Sequence, residues 1–269
     1  MSLSAQLLLL PQWVTVLLMV GIAVAFSIIG FLVVHRYIPI KIRKIHNDVA
    51  GFVFATLGAT YGVLLAFVVI VVWEQFNDTK ITVENESSTA LMIYHNLKAY
   101  PNKSAADTIL QCLIEYARLS STEAELRVGQ STEDSELALN RLFETLHSII
   151  PENQYEQMIY GHVAQGLNDL LKLRGLRLQA ANEELPSVIW IGMVVGGIIT
   201  IGFTFLFGTE NVWAHITMMS LLAALIAIVF YVVIQLDHPT MGAVHVGSPE
   251  AYSQILKMAE IKPSIAFPP

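Results

Sequence analysis

Four apolar runs, at roughly 12–34, 49–72, 186–208 and 213–236, are each long enough to cross a bilayer, and they leave this chain few folds to choose from. A spanning helix needs about 20 predominantly apolar residues, and in lipid each backbone amide must find its partner inside the segment. Each run is therefore expected to be a helix. The first lacks a basic leader and a small-residue cleavage site, so it reads as a retained span rather than a signal peptide. Composition agrees: 14% of the residues are charged and mean hydropathy is +0.57, where soluble domains carry about 25% charged residues.

Two runs come early and two late, which divides the chain into spans 1 and 2 (1–72), an extramembrane segment (73–185), spans 3 and 4 (186–236) and a C-terminal tail (237–269). The segment 73–185 holds 17 Asp and Glu against 9 Lys and Arg, a formal charge of −8. It is too long to be an unstructured loop, and its acidity argues against nucleic acid and against anionic lipid headgroups as partners. Its apolar residues recur at three and four, the helical period. Ile109, Leu110, Leu113, Ile114 and Ala117 make one stripe; Leu139, Leu142, Leu146 and Ile149 a second; Tyr155, Met158, Ile159, Val163, Leu167, Leu170 and Leu171 a third. Pro101 and Asn102 end one helix, Ser104 is expected to cap the next, Thr132 precedes the third, and Pro151 separates it from the fourth. The expected fold is all-α: four transmembrane helices with a helical extramembrane bundle inserted between spans 2 and 3. Long helices are expected to run from span 2 into the bundle and from the bundle towards span 3, with Pro186 in the first turn of span 3.

Span 2 is unusual for a lipid-soluble segment because "GFVFATLGATYGVLLAFVV" is crowded with Gly, Ala and Thr. At about 100° per residue, Phe52, Thr56, Thr60, Val63, Phe67, Ile70, Glu74 and Asp78 fall within roughly 40° of Glu74. Gly51, Ala55, Gly58, Gly62 and Ala66 cluster about 120° away. Gly58 and Gly62 form a GxxxG pair, as do Gly192 and Gly196 in span 3, and such pairs let helix backbones approach closely. One face thus suits a neighbouring helix. If several copies surrounded an axis with the other face inward, Phe52 and Phe67 would form constrictions, Thr56, Thr60 and Val63 the wall between them, and Glu74 and Asp78 a charged mouth. The same residues also suit a blander arrangement, with Phe against lipid, Thr bonded to its own backbone, and Glu74 and Asp78 solvated just outside the membrane.

No other chemistry competes. The eight histidines lack compact ligand spacing, Cys112 is alone, no GxSxG or phosphate-binding glycine pattern is present, and no ionisable residue lies inside the four cores. Neither a catalytic site nor a metal or other cofactor is expected, and the chain reads as a non-enzyme. "HND" at 46–48 and "LDHP" at 236–239 are explained as polar caps at the membrane boundary.

The order of "GFVFATLGATYGVLLAFVVIVVWEQF", "ENESSTALMIY", "LRLQAANEELPSVIW" and "LDHPTMGAVHVGSPEAYSQIL" resembles the bestrophin-like family of bacterial four-span membrane proteins over nearly the whole chain. The positions carrying the resemblance are Gly58, Tyr61, Leu65, Ala66, Trp73, Glu74, Glu86, Tyr94, Arg177, Leu178, Pro186, Trp190, Leu236, Asp237, Pro239 and Gly242. Two departures stand out. "YARLSSTEAELRV" lacks the Trp of the family's acidic-Trp pair, and His238, Pro239 and Thr240 replace the usual Arg-Pro-Phe. The resemblance implies a homo-oligomeric ion channel in a bacterial inner membrane, with span 2 lining a path that has a hydrophobic neck. Its expected partners are further copies of the chain, membrane lipid and inorganic ions. Bestrophins proper favour anions, whereas the acidic mouth of this chain favours cations or weak selectivity.

Orientation is pulled two ways. Arg36, Lys41, Arg43 and Lys44 in the loop between spans 1 and 2 place 73–185 on the periplasmic side by the positive-inside rule, while the resemblance places it in the cytoplasm. Lys80, Lys172, Arg174, Arg177 and Lys257 nearly cancel that charge bias. A second class remains open: a non-conducting scaffold or sensor that binds a protein partner, of unknown identity, through its helical domain.

Overall fold

The computed structural model describes Leu8 and residues 10–125, 132–183, 185–239 and 244–260. Within them are nine helices: α1 (Gln12–Tyr37), α2 (Ile40–Ile45), α3 (Asn47–Ala99), α4 (Lys103–Glu125), α5 (Thr132–His147), α6 (Gln154–Asn182), α7 (Ser187–Thr204), α8 (Val212–Leu236) and α9 (Glu250–Glu260). Four of them, α1, α3, α7 and α8, are long and apolar enough to cross a membrane. The chain is a multi-pass all-α membrane protein, with further helices between its second and third spans.

Contacts divide the described residues into two compact units, one within Met1–Phe76 and Glu184–Val244, the other within Asn77–Glu183 and His245–Pro269. In the membrane unit α1 packs along α8, and α7 packs against both. Its core is built from Phe31, Tyr61, Leu65, Val68, Val72, Met193, Phe205, Met219, Ala223 and Val233. A Cβ on Gly196 would lie 2.6 Å from ring carbons of Tyr61, and the Tyr61 hydroxyl donates to the Met193 carbonyl oxygen at 2.9 Å. Span 3 therefore needs glycine where an aromatic ring of span 2 crosses it. At one end of the unit, the Asn47 amide pairs with both backbone groups of Gly208, donating to its oxygen at 2.8 Å and accepting from its nitrogen at 2.9 Å. Gly208 has no room for a side chain, since a Cβ would meet the Lys44 backbone nitrogen at 2.6 Å. Asp237 is buried and accepts from the Leu185 amide at 2.8 Å, joining the end of α8 to the start of α7.

The extramembrane unit has its own core, from Ile93 and Leu97 of α3, Ile109 and Leu113 of α4, Leu139 and Leu142 of α5, Leu167 and Leu170 of α6, and Tyr252 and Ile255 of α9. The first two expected stripes supply it. The third is narrower than expected: Ile159, Val163, Leu167 and Leu170 are buried, while Tyr155, Met158 and Leu171 are exposed. An i, i+4, i+8, i+11 ridge is all that one face of a helix can bury here. Two boundaries also differ. Asn102, not Ser104, caps α4, accepting from the Ala105 amide at 3.2 Å. Glu183, Leu185 and Pro186 are not helical, and Pro186 is the N-cap of α7 rather than a residue of its first turn.

Candidate functional site

The helix α3 carries three distinct sides. Tyr61, Leu65, Val68 and Val72 form a buried ridge about 140° round from Glu74. Thr79, Val83, Glu86, Ala90, Ile93 and Leu97 continue the same ridge at the same i, i+4, i+7 spacing. The side centred on Glu74 is uncovered along its length: Phe52, Thr56, Thr60, Val63, Phe67, Ile70, Glu74 and Asp78 are all exposed. The exposed stripe goes on past Asp78 through Ile81, Asn85, Ser88 and Met92. Phe52 and Phe67 show 78% and 65% of their surface, large values for phenylalanine in a folded chain. Neither Glu74 nor Asp78 has an ion-pair partner among the described residues.

Both threonines of this stripe spend their hydroxyl proton locally. Thr56 donates to the Phe52 oxygen at 3.2 Å, and Thr60 to the Thr56 oxygen at 2.9 Å. The hydroxyl oxygens keep lone pairs to offer outward, and no donor.

The small-residue side is neither of these. Beyond the local helix backbone, no atom of the described residues lies within 4 Å of where a Cβ would sit on Gly51, Gly58, Gly62 or Gly192, and Ala55 and Ala66 are exposed. Gly58, Gly62 and Ala66 line a cavity of about 670 Å³ with Phe54, Tyr61 and Leu65 of α3, Thr200 of α7 and Leu222, Leu225 and Ile226 of α8. Its two hydroxyl-bearing residues are already engaged, Tyr61 on Met193 and Thr200 on the Gly196 oxygen at 2.7 Å. Of the two GxxxG pairs, only Gly196 is closely packed within one chain.

A second polar constellation lies inside the extramembrane unit. Glu86 is fully buried and accepts from the Tyr116 hydroxyl (2.6 Å), the Tyr252 hydroxyl (2.8 Å) and Arg177 Nε (2.6 Å). Residues of α3, α4, α6 and α9 thus meet on one carboxylate. Burial, and then the negative charge of Glu86, push the Tyr116 phenol well above its ordinary range. Burial does the same to Tyr252, with the neighbouring Tyr116 and Glu86 adding to it. Both phenols stay protonated and serve as donors. A carboxylate with three donors needs no exogenous ligand to satisfy it. The cluster holds helices together; it does not form an accessible site. In the sequence Glu86 stands out only as a residue shared with a family, and Arg177 as that and as one base in a charge balance. The unused physical signal was a carboxylate on the same ridge as Val83, Ala90, Ile93 and Leu97.

Comparison with known proteins bears on the fold. A family model of the bestrophin-like domain matches residues 21–252. A bacterial bestrophin homolog from Klebsiella pneumoniae, solved by phasing on zinc, superposes with a TM-score of 0.68 at 12% identity, covering 92% of this chain and 99% of that one. A mutated form of a bacterial bestrophin homolog from the same organism gives 0.68 at 13% identity, with 90% and 96% covered. A structure described as a membrane protein gives 0.65 at 12% identity, with 90% and 96% covered. At these identities the likeness shows a shared fold. No curated protein sequence matches.

Proposed function

The chain belongs to the bestrophin-like family, and from that premise we propose that it is a homo-oligomeric ion channel whose path is lined by the exposed stripe of α3. The observation that carries this reading is the division of labour on α3, in which a ridge of large residues does the packing and an uninterrupted opposite side is left bare. One such side cannot enclose a path, so several copies are required. The uncovered Gly58 and Gly62 side then receives a helix of the neighbouring copy, with close backbone approach as the gain. Phe52 and Phe67 form apolar constrictions, and Glu74 and Asp78 form carboxylate rings at one mouth.

Selectivity follows from the chemistry of the stripe. The outward lone pairs of Thr56 and Thr60 and the carboxylates of Glu74 and Asp78 are all acceptors, which suit a cation and offer nothing to an anion. Flux through the purified protein in liposomes, under separate K⁺ and Cl⁻ gradients, tests this. K⁺ is expected to pass in preference, and Glu74→Gln with Asp78→Asn to lower that preference. Unchanged selectivity in a conducting double variant would remove the mouth from the reading. A second reading, a non-conducting scaffold that binds a protein partner, is favoured by Ile150, Tyr155 and Met158, all exposed near the start of α6. It gains if the folded, oligomeric protein passes neither ion.

A further inference from the structure

We propose that the contact between His35 and Arg43 is a proton-released latch, holding the turn between α7 and α8 against the connector between α1 and α3. Arg43 is buried although it lies on a six-residue helix. Its Nη1 donates to the carbonyl oxygens of Phe205 (3.1 Å) and Phe207 (3.4 Å). These follow the last residue of α7, where helix carbonyls lack intrahelical partners and the dipole is negative. Its Nη2 lies 2.9 Å from His35 Nδ1, its guanidinium stands 5.8 Å from the centre of the Phe31 ring, and its buried Nε has no hydrogen-bond partner among the described residues.

The state of His35 follows from the chemistry of arginine. A guanidinium only donates and does not lose its proton, so Nδ1 of His35 must be the acceptor and the ring must be neutral, with its hydrogen on Nε2. Protonation at Nδ1 removes that lone pair and sets two cations 2.9 Å apart. The groups around this contact do not relieve the repulsion. His215 of α8 flanks Phe31 on the other side, with ring centres 4.8 Å apart, and its Nε2 donates to the Thr204 oxygen at 3.1 Å. It is a further imidazole and brings no negative charge. From the turn after α7 come the Phe205 and Phe207 carbonyls, which carry no formal charge. The nearby carboxylate of Glu210 is paired with Lys44. A proton on His35 Nδ1 therefore opens the latch, and its loss closes it. The inference is independent of whether the protein conducts.

A nitroxide at position 206, attached through Leu206→Cys in a Cys112→Ser background and studied in lipid nanodiscs, reads the turn directly. Its spectrum is expected to be immobile at pH 8 and to gain a mobile component at pH 5. His35→Asn places an amide oxygen at about the position of Nδ1 and does not titrate, so it is expected to give one immobile spectrum at both pH values. Arg43→Gln is expected to give a mobile spectrum at both. A wild-type spectrum that does not change between pH 8 and 5 overturns the proposal without any latch variant being needed. So does an equal pH response in His35→Asn.

Discussion

Arg43 and Arg177 are both guanidinium groups buried inside the protein, and the two units neutralise them by different means. In the extramembrane unit Arg177 meets a carboxylate, and two phenols complete the shell of that carboxylate. In the membrane unit Arg43 meets the carbonyls at the end of α7 and one histidine nitrogen. The first arrangement is balanced in charge and none of its donors titrates near neutrality. The second is unbalanced and depends on an acceptor that a single proton removes. The lesson is that a buried arginine can either fasten helices permanently or fasten them conditionally, depending on whether its partner is a carboxylate or an imidazole.

Breaking the balanced cluster has the largest expected effect. Glu86→Ala leaves Arg177 buried without its anion and is expected to cost about 3–5 kcal/mol, read from chemical or thermal unfolding in detergent. Replacing both partners, as Glu86→Leu with Arg177→Met, is expected to cost clearly less than Glu86→Ala, because no buried charge is then stranded. Equal losses would mean that the pair is exposed to water in solution. Arg43→Gln comes next, at about 1.5–3 kcal/mol for lost charge-assisted hydrogen bonds. It ranks lower because the abandoned groups are carbonyls at a helix end, which water can reach more easily than it can reach Glu86.

Tyr252→Phe is a smaller perturbation of the same cluster. It removes one of the two hydroxyl donors to Glu86 and is expected to cost about 1.5 kcal/mol, the low end of the range for hydrogen bonds to charged groups. The pH dependence has a definite sign. Because the folded protein holds the Tyr116 and Tyr252 phenols above their ordinary values, the stability they contribute is complete below the unfolded value of about 10. It is lost as pH rises beyond that value. Unfolding of wild type and Tyr252→Phe should therefore converge in strong alkali, whereas the Arg43 latch should weaken on the acid side. Opposite pH limbs at the two buried arginines would separate the permanent fastening from the conditional one.

The two units were also unequally legible in the sequence. The spans could be read from length alone, because the bilayer demands about 20 apolar residues. Which side of α3 packs could not. In "GATYGVLLAFVV" nearly every residue is apolar, so the ridge of Tyr61, Leu65, Val68 and Val72 lacks the polar contrast on which periodicity depends. The most conspicuous feature, the Gly58 and Gly62 pair, lies on another side. In the extramembrane unit polar residues alternate with apolar ones, and the stripes of α4 and α5 emerged directly. There the obstacle was Glu86, a charge on a buried ridge, which composition assigns to the surface. Arg43 was counted as one of four bases in a loop, and its burial depends on Phe205 and Phe207, 162 and 164 positions away. The short segment Glu250–Glu260 had no place in the expected bundle, yet Tyr252 and Ile255 complete its core.

The smallest expected change in stability bears most directly on the stripe that neither arginine touches. Thr60→Val removes one exposed hydroxyl that donates to the Thr56 oxygen of its own helix, and keeps the shape of the side chain. Unfolding is expected to shift by under about 0.5 kcal/mol, so any change in flux belongs to the surface of the stripe rather than to folding. If that surface lines a path, valine takes away an outward-facing oxygen lone pair in an apolar stretch bounded by Phe52 and Phe67, and K⁺ flux should fall. If it faces lipid, the substitution exchanges a self-satisfied hydroxyl for a methyl group, and flux should be unaltered. Thr56→Val gives the same test one helical turn away, and parallel results at both positions separate a continuous path from a single local contact.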